Sequence, residues 1–197
     1  NFRAEKDTCG LLQAFALVRH ECPQAELVCV GEAVDAAYWQ TVQHTRAALK
    51  LDGSMHFPGS CPDAWQLMAA ADVFCLSSLS ESMPNVVLEA MSQRVPVVAT
   101  TVGDVGRLEP GAAPARPLLR HEETGLLAPP GDPPALAASL VSTLRGPAAA
   151  RARADRAYAD YQQHFRTAQM VQRYEQVYQQ CAARRKHWNQ HTRAGAP

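Results

Sequence analysis

The segment Ser77-Ser78-Leu79-Ser80-Glu81-Ser82-Met83-Pro84-Asn85-Val86-Val87-Leu88-Glu89 carries the residues best spaced for chemistry. It leaves an apolar run at 72–76 that reads as a strand and opens a helix predicted over about 84–92. A strand-to-helix turn exposes N–H groups, here at about residues 82–86. Such a terminus attracts phosphate through its orphan donors and the helix dipole. Glu81 stands just before the helix and Glu89 about two turns into it. At 3.6 residues per turn residues 85 and 89 share a face, so Glu89 can reach the same crevice. Carboxylates repel phosphate but accept hydrogen bonds from sugar hydroxyls. Phosphate donors flanked by two such carboxylates suit a nucleotide sugar. The same spacing fits a plainer arrangement, with Glu81 capping the helix and Glu89 on a solvated surface.

Other residue types point less far. Ser77, Ser78 and Ser80 lack the glycine-flanked elbow of a serine nucleophile, so loop hydrogen bonding is expected of them. His187 and His191 have ligand spacing for a helix but sit in a polar tail. Trp39, Trp65 and Trp188 are too scattered for a sugar-stacking platform, so whole or partial burial is expected. None of the six cysteines forms the two-residue pair of a zinc or redox motif. Cys29 and Cys75 lie in apolar runs, where a free thiol acts as a small hydrophobe. A reducing, cytosolic setting fits that usage.

The elements that must hold this segment alternate along the chain. Leu11, Leu12, Phe15 and Val18 recur at helical spacing over 8–20, with Asp7 or Thr8 as cap. Short apolar runs at 26–30, 55–57, 72–76, 95–99 and 126–128 read as strands buried on both faces. Helices are predicted over 34–49, 63–70, 84–92 and 133–145, the last opened by Pro129-Pro130-Gly131-Asp132. Pro84 suits the first helical position, where its missing N–H costs nothing. Two more helices are predicted over 148–163 and 167–183, before a frayed polar end. The glycines and prolines of 100–125 predict a long loop. This alternation predicts a doubly wound α/β fold: a parallel sheet with helices on both faces and extra helices at the C-terminus. The expected organisation is a nucleotide-binding domain over 1–145, helices of the same domain over 146–183 and a tail over 184–197.

Composition narrows the function classes. The chain has 197 residues, 47% hydrophobic and 19% charged, enough for a sizeable core. Net charge is zero, which argues against a nucleic-acid-binding protein. No apolar stretch is long enough to span a membrane, and no signal peptide is expected at residues 1–20. Charge is uneven, however: residues 1–144 hold 9 basic and 16 acidic side chains, and 145–197 hold 10 basic and 3 acidic. The basic end reads as a solvated helical tail, or as a segment that docks on an acidic surface or on anionic lipid at the inner face of a membrane.

Several blocks resemble one family in order. The spacing Glu81 to Glu89 resembles the Glu, seven residues, Glu motif of retaining glycosyltransferases with the GT-B fold, family 4. Residues 1–7 with Leu11-Leu12-Gln13-Ala14-Phe15 resemble its lysine-bearing loop and first helix. Ala69-Ala70-Ala71-Asp72-Val73-Phe74, Val95 to Thr100 and Thr124 to Asp132 resemble later blocks, and Phe165 through Tyr178 its C-terminal helix.

The resemblance implies the second, donor-binding half of a GT-B enzyme. The acceptor-binding half, and the first strand of this half, are expected outside residues 1–197, and this chain alone is expected to be inactive in transfer. A hexose would move from a UDP- or GDP-sugar to a sugar or lipid-linked acceptor in bacterial glycan assembly. By the resemblance, Lys6 neutralises the donor diphosphate, Glu81 contacts the transferred sugar and Glu89 holds the ribose hydroxyls. The N–H groups of Ser82 and Met83 lie beside the sugar, and those of Asn85 and Val86 reach the distal phosphate. Gly59, within Phe57 to Cys61, flanks the base. No metal and no cofactor beyond the donor are implied, and no Asp-x-Asp motif occurs. Two departures stand out. Asn1 replaces a customary arginine, a role Arg3 could take, and Ser82 replaces a customary glycine. Residues 108–120 read as an insertion. The basic end could also pack on the absent half. Rival readings are a non-catalytic nucleotide- or nucleotide-sugar-binding module or degenerate half-enzyme, and a sugar-nucleotide epimerase.

Overall fold

A computed structural model of the chain describes residues 1–106 and 117–193, with side chains through 182. Contacts divide it into two units, Asn1–Ala159 and Asp160–Pro197. Most of the expected insertion, the His187/His191 pair and Trp188 fall outside the described side chains.

The first unit alternates as the apolar periodicity predicts. A single 3-10 turn, Ala4–Lys6, leads into α1 (Thr8–Glu21). Then follow β1 (Leu27–Val30), α2 (Ala36–Ala48), β2 (Met55–Gly59), α3 (Ala64–Ala69), β3 (Phe74–Leu76) and α4 (Asn85–Ser92). β4 (Val97–Thr100), β5 (Leu126–Ala128), α5 (Pro133–Arg145) and α6 (Pro147–Asp160) complete it. All strand pairs are parallel, in two ladders: β1–β2, and β3–β4–β5.

Local chemistry explains the element starts. Asp7 caps α1, its Oδ1 accepting from the Gly10 N–H at 3.0 Å, and Asp35 and Asp132 cap α2 and α5 in the same way. Pro133 opens α5 without losing a bond. Pro84 departs from the expectation. It is the extended residue before α4, with φ −76° and ψ 107°, and Asn85 begins the helix. Its backbone is therefore not yet helical.

The core lies between helix and sheet. Leu11, Leu12, Phe15 and Val18 of α1 meet Leu136 and Leu140 of α5 over Val98, Leu126 and Ala128. Burying each such side chain contributes about 1.5–3 kcal/mol. Val97 and Ala99 are also buried but outside that cluster. Alternate strand residues face opposite ways, and α4 packs against β4 with Val87, Ala90 and Met91 buried.

The second unit holds a π-helical turn, Tyr161–Phe165, and α7 (Thr167–Arg193). The helix continues well past the predicted end near 183. Ala182-Ala183-Arg184-Arg185-Lys186 are all strong helix formers, and no glycine or proline stops it before Gly195.

Candidate functional site

The site begins where β3 ends. Ser77 and Ser78 follow Leu76 and are 7% and 1% exposed, so their hydroxyls need protein partners. Ser77 Oγ donates to the Lys6 carbonyl at 2.8 Å, and the Leu79 N–H donates to the Glu5 carbonyl at 2.8 Å. These two bonds lay the opening residues across the loop after β3. Lys6 Nζ then comes within 2.5 Å of Glu81 Oε1. The same oxygen accepts from Ser78 Oγ at 2.8 Å. Oε2 has no hydrogen-bond partner among the described residues. The Glu81 side chain is only 14% exposed, against 41% for Lys6. The carboxylate is thus recessed and the ammonium stands nearer solvent.

Beside this pair opens a cavity of about 400 Å³, lined by Asn1, Arg3, Glu5, Lys6, Ser80, Glu81 and Ser82. Arg3 is exposed and lies 3.9 Å from Glu5. Two cations and a recessed carboxylate with one free oxygen can receive an anion joined to a hydroxyl-bearing group.

The structure brings Lys6, Arg3, Glu81 and Ser82 to one cavity wall. Met83, Asn85, Val86, Glu89 and Gly59 do not line it. Met83, Asn85 and Val86 are exposed at the start of α4, where no side chain caps the helix. Glu81 therefore does not act as a cap; the Val87 N–H donates to the Pro84 carbonyl at 3.1 Å, and those of Asn85 and Val86 have no acceptor among the described residues. Glu89 is exposed one helical turn beyond Asn85, and its carboxylate has no partner among the described residues. Gly59 ends β2 at φ +82°, its carbonyl accepting from the Gly31 N–H at 2.9 Å. Near it, Phe2, Trp39 and Phe57 pack with ring centroids 4.8–5.3 Å apart.

Three supports escape the sequence reading. Thr100 Oγ1, buried at the end of β4, donates to the Ser78 carbonyl at 2.6 Å. The Asp104 N–H donates to the Ser82 carbonyl at 2.8 Å. Gly103, at φ +51°, lies against the backbone of Glu81 and Ser82. The available signal is the run of glycines and prolines in a long loop, and it names no partner. Cys29 and Cys75 pack against the core, where burial pushes both thiols up to about 12, so they are protonated near neutrality. Among the described residues no three His, Cys, Asp or Glu side chains cluster as metal ligands, and no helix is long and apolar enough to cross a membrane.

Parallel ladders with a polar site beyond their carboxyl ends, at the loop into a helix, define an α/β protein of the class that takes its ligand at the strand ends. The particular family follows from comparison: the chain belongs to the family described as Glycosyl transferases group 1, whose profile matches residues 1–146. It is 29% identical to the N-acetyl-alpha-D-glucosaminyl L-malate synthase of Bacillus anthracis, over 90% of this chain and 43% of that protein. It is 34% identical to the putative glycosyltransferase EpsD of Bacillus subtilis, over 67% of this chain and 31% of that protein. Among solved structures, Anabaena Alr3699/HepE in complex with UDP superposes with a TM-score of 0.80 at 26% identity, over 91% of this chain and 47% of that one. The sucrose-phosphate synthase of Thermosynechococcus elongatus gives 0.78 at 27% identity, over 92% and 44%. The fold is that of GT-B glycosyltransferases, and the chain spans less than half the length of these proteins.

Proposed function

We propose that this chain is the donor-binding half of a retaining glycosyltransferase, which moves a hexose from a UDP- or GDP-sugar to a sugar or lipid-linked acceptor. The observation that carries the reading is the Lys6–Glu81 pair. Two residues 75 positions apart in sequence meet at 2.5 Å on the wall of one cavity. The matching of Anabaena HepE with UDP and with UDP-glucose favours a uridine donor.

In this reading the donor diphosphate draws Lys6 away from Glu81, and Arg3 adds a second cation. Loss of the sugar leaves a diphosphate more negative than the donor's, so cations fixed beside it stabilise the transition state more than the ground state. Glu81, with Ser78 still donating to one oxygen, turns the other to a hydroxyl of the transferred sugar. The N–H groups of Ser82 and Met83 lie beside that sugar. Those of Asn85 and Val86 take the distal phosphate at the start of α4. Glu89, one turn further, holds the ribose hydroxyls, and Gly59 flanks the base. Residues 146–183 complete the domain begun by 1–145. The acceptor-binding half lies outside residues 1–197, and the basic C-terminal segment faces that half or anionic lipid.

Binding needs only the donor half, so the test reads binding. UDP at about 100 times its dissociation constant should stabilise the chain by about 2.7 kcal/mol, seen as a rise in Tm. Lys6→Ala and Glu89→Ala should each reduce that rise. An unchanged shift in both variants overturns their assignment, and no shift in the wild-type chain overturns donor binding.

A further inference from the structure

Gly103 stands where one backbone presses on another. A Cβ built there would lie 2.1 Å from the Glu81 carbonyl oxygen and 2.3 Å from that of Ser82, well inside the 3.0 Å that real Cβ atoms respect. Both are backbone atoms, so no side-chain rotation relieves the contact. The φ of +51° adds a second, separate demand for glycine. The loops are also tied on either side of this contact: Thr100 Oγ1 holds the Ser78 carbonyl, and the Asp104 N–H holds the Ser82 carbonyl. The segment from Thr100 to Asp104 therefore clamps both ends of Ser78–Ser82, and Glu81 hangs between the two ties.

We propose that Gly103 is a positioning residue for Glu81, which sets how the site recognises the sugar of the donor and leaves its hold on the nucleotide largely untouched. The inference rests on the donor-binding reading above. Its logic is spatial. A Cβ at 103 displaces the backbone that carries Glu81 and Ser82, the groups assigned to the sugar. Glu89 is a residue of α4, outside the clamped loop, and Ser77, which precedes that loop, holds the Lys6 carbonyl in addition to the Leu79 bond to Glu5. Gly103 would thus tune discrimination between a nucleoside diphosphate and its sugar conjugate.

The 197-residue chain is titrated calorimetrically with UDP and with UDP-glucose, as wild type, Gly103→Ala and Gly103→Asn. Both variants should lose about tenfold in UDP-glucose affinity while UDP binding stays within about twofold. Asparagine tolerates positive φ but brings the same Cβ, so wild-type behaviour in Gly103→Asn would leave φ as the only constraint and overturn the contact argument. Equal loss for both ligands, or no loss, also overturns it. Thr100→Val frees one end of the same loop without adding an atom, and should show the same selectivity with smaller loss should the glycine variants fail to fold. A readout without ligand separates this inference from the reading beneath it. The Asp104 amide should exchange its hydrogen about tenfold faster in Gly103→Asn than in wild type, with α1 amides unchanged. A wild-type chain that binds neither ligand defeats the donor reading, and the exchange measurement then decides the positioning claim by itself. Unchanged Asp104 exchange overturns it.

Discussion

The opening residues are fastened at two places by different physics. At the β1–β2 ladder the anchor is aromatic. Phe2 is 5% exposed and packs on Trp39 and Phe57, with one backbone bond from its N–H to the Glu32 carbonyl at 2.9 Å. At the β3–β4 side the anchor is polar: Ser77 to Lys6, Leu79 to Glu5, and Lys6 to Glu81. Apolar burial is non-directional and large, so it decides where the strip lies. Hydrogen bonds contribute less net free energy but fix direction, so they decide which way Lys6 and Glu81 face. The difference teaches that stability and chemistry are divided between the two ends of one short segment.

The division can be broken by experiment. Phe2→Ala should have the largest effect, about 3 kcal/mol of stability lost in urea unfolding. Ser77→Ala should cost about 1 kcal/mol and weaken UDP binding through the released Lys6 backbone. A Ser77 variant less stable than the Phe2 variant would reverse the assignment. The smallest effect compares the ladders themselves through one thiol in each. Cys29 in β1 and Cys75 in β3 both stay protonated up to about 12. At pH 8 their alkylation should be about a thousandfold slower than that of exposed Cys181. Both raised values mean the folded state holds its protons longer than the unfolded one. The stability they support is therefore full below pH 9.0 and falls as pH climbs toward about 12. A fast-reacting Cys29 beside a slow Cys75 would show that only the β3 side is closed.

Much of the fold was legible because it is written locally. The α1 stripe, its cap at Asp7 or Thr8 and the Asp132 cap ahead of two prolines need only neighbouring residues; the stripe and the Asp132 cap form as read, and of the two α1 candidates Asp7 is the cap. Glu81 was legible by its spacing from Glu89 and Lys6 by resemblance, but their contact was not, since 75 residues separate them. Pro84 precedes α4 and does not open it, a distinction local sequence does not carry because proline suits both the position before a helix and the first within it. Gly103 looked like loop composition until its backbone was seen against that of Glu81.

The amino-acid order alone settled which segments coil and which extend, because burial period, caps and turn residues act over a few positions. It also set out the acidic and basic side chains that suit a phosphorylated sugar. Only the folded chain decided that a serine after β3 seats the opening lysine, that Glu81 shares one oxygen between Lys6 and Ser78, and that a glycine beyond β4 fixes their height. Those are distances between parts of the chain that meet only when parallel crossovers bring the strand ends to one edge, and no local pattern encodes them.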